Sequence, residues 1–270
     1  VADVLEMNIS RVHVVQGDTD RVATGSGTGG SGSAPVGGVA CRRAAEGIID
    51  KAQPIAAELL ETAVANVRFS NGGFEIPGTD QRVELAAVAD AAQELDRFIK
   101  EEEPGLSTAS AFNPEAQSFP NGCHICEVEI DRETGRIKIV RYTAVDDFGT
   151  VVNPLLLAGQ VHGGIAQGIG QALLEDCLYE DQNGQLLSGS LLDYCLPRAD
   201  DLPFIDLERI DGIPCTTNPL GIKGVGETGA IAAPPAVVNA VIGALSEVGV
   251  THIDMPATSE KVWRAIHGTI

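Results

Sequence analysis

Apolar and polar positions alternate along residues 11–16 (RVHVVQ), a valine-rich run that predicts a strand. The first six residues read as the end of a helix. Over 37–65 the period lengthens: Ala, Ile and Leu recur at helical spacing, predicting a long helix that Pro54 should kink or divide. Asn71-Gly72-Gly73 then separates two short β-prone runs, VRFS and GFEI, as the turn of a hairpin. A second helix is expected over 84–98, and the polar, proline-containing stretch 100–121 suits a crossing between two lobes. Alternation returns in CEVEI and RIKIVRYTAVDD, which flank the turn residues Asp131-Arg132-Glu133-Thr134-Gly135. Asn153-Pro154 is a helix start, with Asn as cap and Pro at the first helical position; that helix should run to about Asp176. Short strands near 177–195, a strand at 205–210, and helices at 235–247 and 258–267 complete the chain, the last capped by Thr258 or Ser259. No fixed-period repeat is present. The expectation is an α+β chain with lobes of about 1–118 and 119–270.

Composition narrows what such a chain can do. Its 270 residues carry 38 acidic and 18 basic side chains, a net charge of −20. A phosphate-facing surface needs clustered Lys and Arg, so nucleic-acid binding is excluded and anionic membranes are disfavoured. No run of about 18 apolar residues occurs, so no membrane span is expected. The charge itself is either a surface property or a match to a basic partner. The chain opens on Val rather than Met, as part of something larger would. Its start lacks the basic head and apolar stretch of a signal peptide, so the six cysteines should be free thiols of a reducing, cytoplasmic compartment. Cys123-His124-Ile125-Cys126 has zinc or redox spacing but no second pair. Cys126 shares a strand face with Val128 and Ile130, which favours a buried structural cysteine. The five histidines show no ligand spacing, and no metal ligand is expected from the protein.

The chemistry-bearing positions are three glycine-rich segments. Gly25-Ser26-Gly27-Thr28-Gly29-Gly30 matches GxGxxG, yet nine residues separate it from Val15, and Ser33-Ala34-Pro35 precedes the next helix. A dinucleotide fingerprint must follow its strand directly. What remains is either a linker or a run of amides and hydroxyls, with Thr28, Ser31 and Ser33, suited to anionic oxygens. In the second segment, 159–171, Gln160 and Gln167 lie two helical turns apart on one face. Their amides suit an oxo group or a heterocycle edge, while the glycines suit close helix packing. The third, Lys223-Gly224-Val225-Gly226-Glu227-Thr228-Gly229, ends in a glutamate before the apolar stretch AIAAPPAVV. Apolar surroundings would raise its pKa toward that of a base working near neutrality; a helix-start carboxylate meeting the dipole is the alternative.

These segments, in this order, carry a resemblance. VVQGDTDRV, GTGGSGSAPVGG, AVDDFGTVVNPLLLAGQVHGGIAQGIGQALLE, LLDYCLPRADDLP and NPLGIKGVGETGAIAAPPAVVNAV are similar to the C-terminal part of the molybdenum-binding large subunit of the xanthine oxidase family, especially aerobic carbon monoxide dehydrogenase and its bacterial relatives. The resemblance implies the two-lobed C-terminal part of that family's molybdenum-cofactor-binding domain. It implies molybdopterin, in bacteria usually the cytosine dinucleotide form, whose dithiolene holds molybdenum without a protein ligand. It implies that Glu227 is the catalytic base and that Gln160 and Gln167 line the cofactor. Thr28, Ser31 and Ser33 would contact the pterin or its phosphates, and Lys223, Gly224, Val225 and Gly226 would bring backbone, with some basic help from Lys223. Gly32 stands where relatives often have Arg. Implied partners are the N-terminal half of the subunit, an iron–sulfur subunit, an FAD subunit and a small-molecule substrate. The implied activity is oxidation of a heterocycle or aldehyde carbon with water-derived oxygen. An inactive structural or assembly subunit, an acidic binding module and carbon monoxide oxidation stand as alternatives.

Overall fold

Helical periodicity after the first glycine loop becomes helix α1 (Val39–Leu59), entered through a π-type turn at Ser33–Gly38. The computed structural model describes residues 1–22, 25, 27–96 and 105–268, and the chain divides into two units, Val1–Glu115 and Ala116–Ile270. Pro54 lies inside α1 without ending it. The one lost N–H bond is offset by burial of Ala52, Ala56 and Ala57 along the same turns. The helix stops short of 65 because Glu61 takes a left-handed φ of 52°. β1 (Arg68–Ser70) and β2 (Gly73–Glu75) form the expected hairpin. Asn71 and Gly72 supply its turn at φ 50° and 75°. A third strand, β3 (Arg82–Glu84), pairs with β2 and is too short for its alternation to show in sequence. α2 (Leu85–Asp96) follows, and the end of the expected helix, 97–98, lies outside the described residues. This unit's core centres on the wholly buried Phe74 and Val88.

Residues 11–16 are not a strand. Ile9–Arg11 form a 3-10 turn capped by Asn8, and Val14 beyond it is 79% exposed. Alternation provides no hydrogen-bonding neighbour, and none pairs with this run among the described residues. Residues 1–6 likewise form turns rather than a regular helix.

In the second unit, β4 (Asn121–Ile130) and β5 (Ile137–Asp147) pair antiparallel, with Ile130 opposite Ile137. β6 (Ile205–Arg209) joins parallel to β5. α3 (Pro154–Leu173) packs on α4 (Thr228–Leu245), α4 also covers β4, and α5 (Ser259–His267) closes the chain. The start of α3 is as the sequence indicates: Asn153 Oδ1 accepts the amides of Leu155 and Leu156, both at 3.1 Å. The strands expected within 177–195 reduce to one bridge, Tyr179 with Leu186. α4 begins seven residues before the expected 235 and takes in Pro234 and Pro235. Gly168 of α3 makes this packing feasible, since a Cβ there would meet Pro234 Cδ at 2.8 Å. Thr228–Val248 is long and apolar enough to cross a membrane by length and composition, at mean hydropathy 1.6. A strict count of apolar runs misses it because Pro234, Pro235, Asn239 and Gly243 interrupt the segment. Its Val237, Val241 and Leu245 are core residues of this unit, packed with Tyr142, Phe148, Ile165 and Ile169.

Candidate functional site

Residues 218–223 are laced to the end of β5 before the glycine loop begins. Thr150 N–H donates to Gly221 O at 2.7 Å, and Lys223 N–H donates to Phe148 O at 3.0 Å. Asn218 grips Ile222 from behind through both its amide and its carbonyl oxygen. The Lys223 ammonium donates to Asp147 Oδ2 at 2.6 Å and to Asn121 Oδ1 at 2.9 Å. Lys223 is only 13% exposed and Asp147 7%. The Lys223 hydrogen bond, with help from the Gly149 amide and the lysine charge, holds the Asp147 carboxyl below the usual carboxylate range. Lys223 therefore gives its backbone N–H and two of its three ammonium donors to the chain itself.

Gly224 is buried, Val225 packs against the core, and Gly226 and Glu227 are exposed. Glu227 sits at the N-cap of α4 with helical backbone angles and caps no amide with its side chain. The apolar run after it leaves the carboxylate exposed in this chain. It is the body of α4, whose Ala233 and Val237 are buried in the core while Ile231 is 69% exposed. Two residues on, Gly229 meets α3: a Cβ on Gly229 would lie 2.4 Å from Ile165 N, and one on Gly164 3.0 Å from Gly229 Cα. Thr228 Oγ1, beside this crossing, is buried with no hydrogen-bond partner among the described residues.

α3 passes the crossing with Gln160 one turn before Gly164 and Gln167 about one turn after. Both glutamines are exposed, as is Gln171, which extends the row by another turn. The helix glycines divide by task. Gly164 and Gly168 admit α4, whereas a Cβ at Gly159 or Gly163 would meet nothing within 4 Å. Gly163 thus leaves an open notch in the amide face. His162, whose buried Nε2 also lacks a partner among the described residues, is on the other side of α3.

The first glycine segment belongs to the other unit and is described by itself. Thr28 Oγ1 and Ser33 Oγ lie 2.6 Å apart. Ser31 takes φ 54° beside Gly30 at 56°, and the segment runs into the helical turn at Ser33. Such a left-handed turn before a helix start collects backbone amides on one side. Residues 23, 24 and 26 lie outside the described residues.

Asp147, Asn121 and a buried triad beside them were not singled out from sequence. His124 bridges Asp146 Oδ2 at 3.0 Å and the Tyr142 hydroxyl at 2.9 Å, all nearly solvent-free. With Nε2–H donated to Asp146, Nδ1 accepts the Tyr142 proton. Burial pushes the Tyr142 phenol up, and it lifts the neighbouring Cys126 thiol to about 11. The available signal was Asp146-Asp147 itself: consecutive strand residues face opposite ways, so two acids closing an apolar strand need two partners.

The second unit thus sets two crossed helices beside a mixed sheet that α4 covers, with an amide-lined face and a glutamate on a glycine loop. Residues 1–203 match the model of the molybdopterin cofactor-binding domain, and the chain belongs to that family. It is 38% identical over 271 residues to the nicotine 6-hydroxylase large subunit of Paenarthrobacter nicotinovorans, covering 100% of this chain and 33% of that one. It is 37% identical to the carbon monoxide dehydrogenase large chain of Hydrogenophaga pseudoflava, covering 94% and 31%. The structure of reconstituted carbon monoxide dehydrogenase from Oligotropha carboxidovorans superposes with TM-score 0.80 at 32% identity, over 93% of this chain and 31% of the other. The chain thus spans about a third of the length of the relatives it matches.

The residues present fit a pterin. Gln160 and Gln167 offer donors and acceptors to a heterocycle edge, Gly163 leaves space beside them, and Thr228 holds an unanswered hydroxyl.

Proposed function

We propose that this chain builds part of the molybdopterin site of a molybdenum hydroxylase and that Glu227 is its general base. The observation that carries this reading is the α3–α4 crossing. It fixes the head of α4, with Glu227 two residues upstream, against the stretch of α3 between Gln160 and Gln167. When bound, the cofactor supplies a two-electron oxidation of carbon with oxygen from water. Gln160 and Gln167 orient the pterin edge by hydrogen bonds. Gly224, Val225 and Gly226 bring backbone close, and Lys223 contributes through the position it gives them. Thr28, Ser31 and Ser33, with the amides of their loop, hold phosphate oxygens of the cytosine dinucleotide form. Glu227, exposed in this chain, accepts a proton at its carboxylate once substrate and the rest of the subunit exclude water around it.

The substrate class we favour is an electron-poor carbon of a nitrogen heterocycle or an aldehyde, supported by the relative named for nicotine hydroxylation. Carbon monoxide, in the name of another relative, is the alternative. We place the chain in the cytoplasm, in line with its six free cysteines. There it works with the N-terminal half of the molybdenum subunit and passes electrons through an iron–sulfur subunit to an FAD subunit. The test is Glu227→Gln in the assembled protein. Turnover should fall about 100-fold or more while molybdenum and nucleotide content stay unchanged. Undiminished turnover removes Glu227 as base, and an assembled protein without molybdenum points instead to a structural or assembly subunit.

A further inference from the structure

We infer that the Asp147–Lys223–Asn121 cluster is a positioning clamp for Glu227, a role that rests on Glu227 being the base. Between Lys223 and Glu227 the backbone is Gly-Val-Gly, and the two glycines give it freedom that other residues would not. The place of the carboxylate is set by the two ends of this short span and by Val225 between them, which packs against the core and whose carbonyl accepts the Thr228 amide at 3.2 Å. The downstream end is rigid, because Gly229 is wedged against the α3 backbone. The upstream end is Lys223, whose ammonium reaches Asp147 at 2.6 Å and Asn121 at 2.9 Å while its N–H is bonded to Phe148 O. One residue thus ties the loop to the ends of both β4 and β5. Asp147 is itself fixed, since its Oδ1 accepts the Gly149 amide at 2.8 Å.

Stability alone is a poor account of this cluster. Desolvation consumes most of the Coulomb gain of a buried ion pair, and an apolar pair of the same volume often serves stability as well. What the pair does provide is a single geometry, with the lysine head held between two oxygens. A base misplaced by about 1 Å can lose about 100-fold in rate, so a fixed upstream end has a direct catalytic consequence.

The test uses Asp147→Asn, Lys223→Met and the conservative Lys223→Arg in the assembled molybdenum protein, each also combined with Glu227→Gln. Asp147→Asn and Lys223→Met should raise hydrogen exchange at amides 224–227 at least about tenfold while protection in α3, β4 and β5 is unchanged. They should lower kcat per bound molybdenum about tenfold with KM unaltered, and Lys223→Arg should retain most of the rate. On the Glu227→Gln background they should cost nothing further, because a misplaced base and an absent one are equivalent. Unchanged exchange in the loop, loosening that spreads through the unit, or full additivity with Glu227→Gln overturns the clamp. Should the first two variants fail to assemble, Asn121→Ala keeps the ion pair and must still raise exchange at 224–227. If Glu227→Gln alone turns over at full rate, the base assignment fails, and the exchange data still decide whether the cluster holds the loop.

Discussion

Asp146 and Asp147 are adjacent in β5 and answer to different partners on opposite sides of the strand, His124 for one and Lys223 for the other. The second pair has a pH signature whose sign can be worked out. Hydrogen bonding by Lys223 depresses the folded-state pKa of Asp147. The stabilisation is therefore fully present above the unfolded carboxylate value of about 3.9 and is lost as pH falls through the lower folded value. The thermal midpoint of the native protein should exceed that of Asp147→Asn by a constant margin between about pH 5 and 7. Below about pH 4 that margin should shrink, and an equal margin at pH 3 and pH 7 would remove the linkage. At this scale the sequence was legible in part. It pointed to Glu227 and the glutamines through glycine spacing and resemblance, but it gave Glu227 an apolar setting from the letters that follow it. Those letters form the body of α4, whose Ala233 and Val237 go into the core, and Glu227 is left exposed in this chain. Lys223, read as basic help for an anion, has its ammonium answered by a residue 76 positions earlier, a pairing that no local pattern encodes.

The glycines of α3 and α4 show how one residue type serves two purposes along an element. A methyl at Gly229 would press on Ile165 N and Val161 O, backbone atoms with nowhere to move. Gly229→Ala should destabilise the second unit by about 3 kcal/mol or more, read as a fall in the denaturant midpoint or as failure to assemble. Gly163 faces open space, and alanine there should gain the helix about 0.5–1 kcal/mol. The same methyl fills the notch between Gln160 and Gln167, so Gly163→Ala should lower molybdenum occupancy while raising stability. Occupancy that rises or stays level with the added stability removes the amide face as the cofactor's seat. Elements with local punctuation were readable from sequence: Asn71-Gly72 for the first hairpin, Asn153-Pro154 for α3, Thr258 for α5. Elements decided by tertiary partners were not. Residues 11–16 alternate like a strand and have no strand beside them, while α4 runs through Pro234-Pro235 because Gly168 gives the ring room.

The second unit leaves several large apolar side chains in the open. Val152, Leu155 and Leu156, 67–81% exposed, flank Pro154 at the head of α3. Pro154 and Phe204, the latter 84% exposed, line a cavity of about 570 Å³ between the head of α3 and the β5–β6 edge. Apolar side chains gathered this way mark a contact surface, whereas single exposed ones carry no meaning. We propose that this surface meets the N-terminal half of the molybdenum subunit, the partner of the proposed function. Substitution by aspartate separates folding from assembly here. An exposed position has no packing to lose, so Leu155→Asp and Phe204→Asp should leave the unfolding midpoint of the unit within about 0.5 kcal/mol of native. An apolar contact does lose its desolvation gain, and a buried unpaired carboxylate adds a penalty of its own. Co-purification with the remainder of the subunit should therefore weaken at least tenfold for each variant, and more for the pair. The surface charge is already −20, so one further aspartate is a negligible change in long-range repulsion. Any loss of assembly is then local to the patch, and unimpaired assembly of the double variant would show that the N-terminal half binds elsewhere.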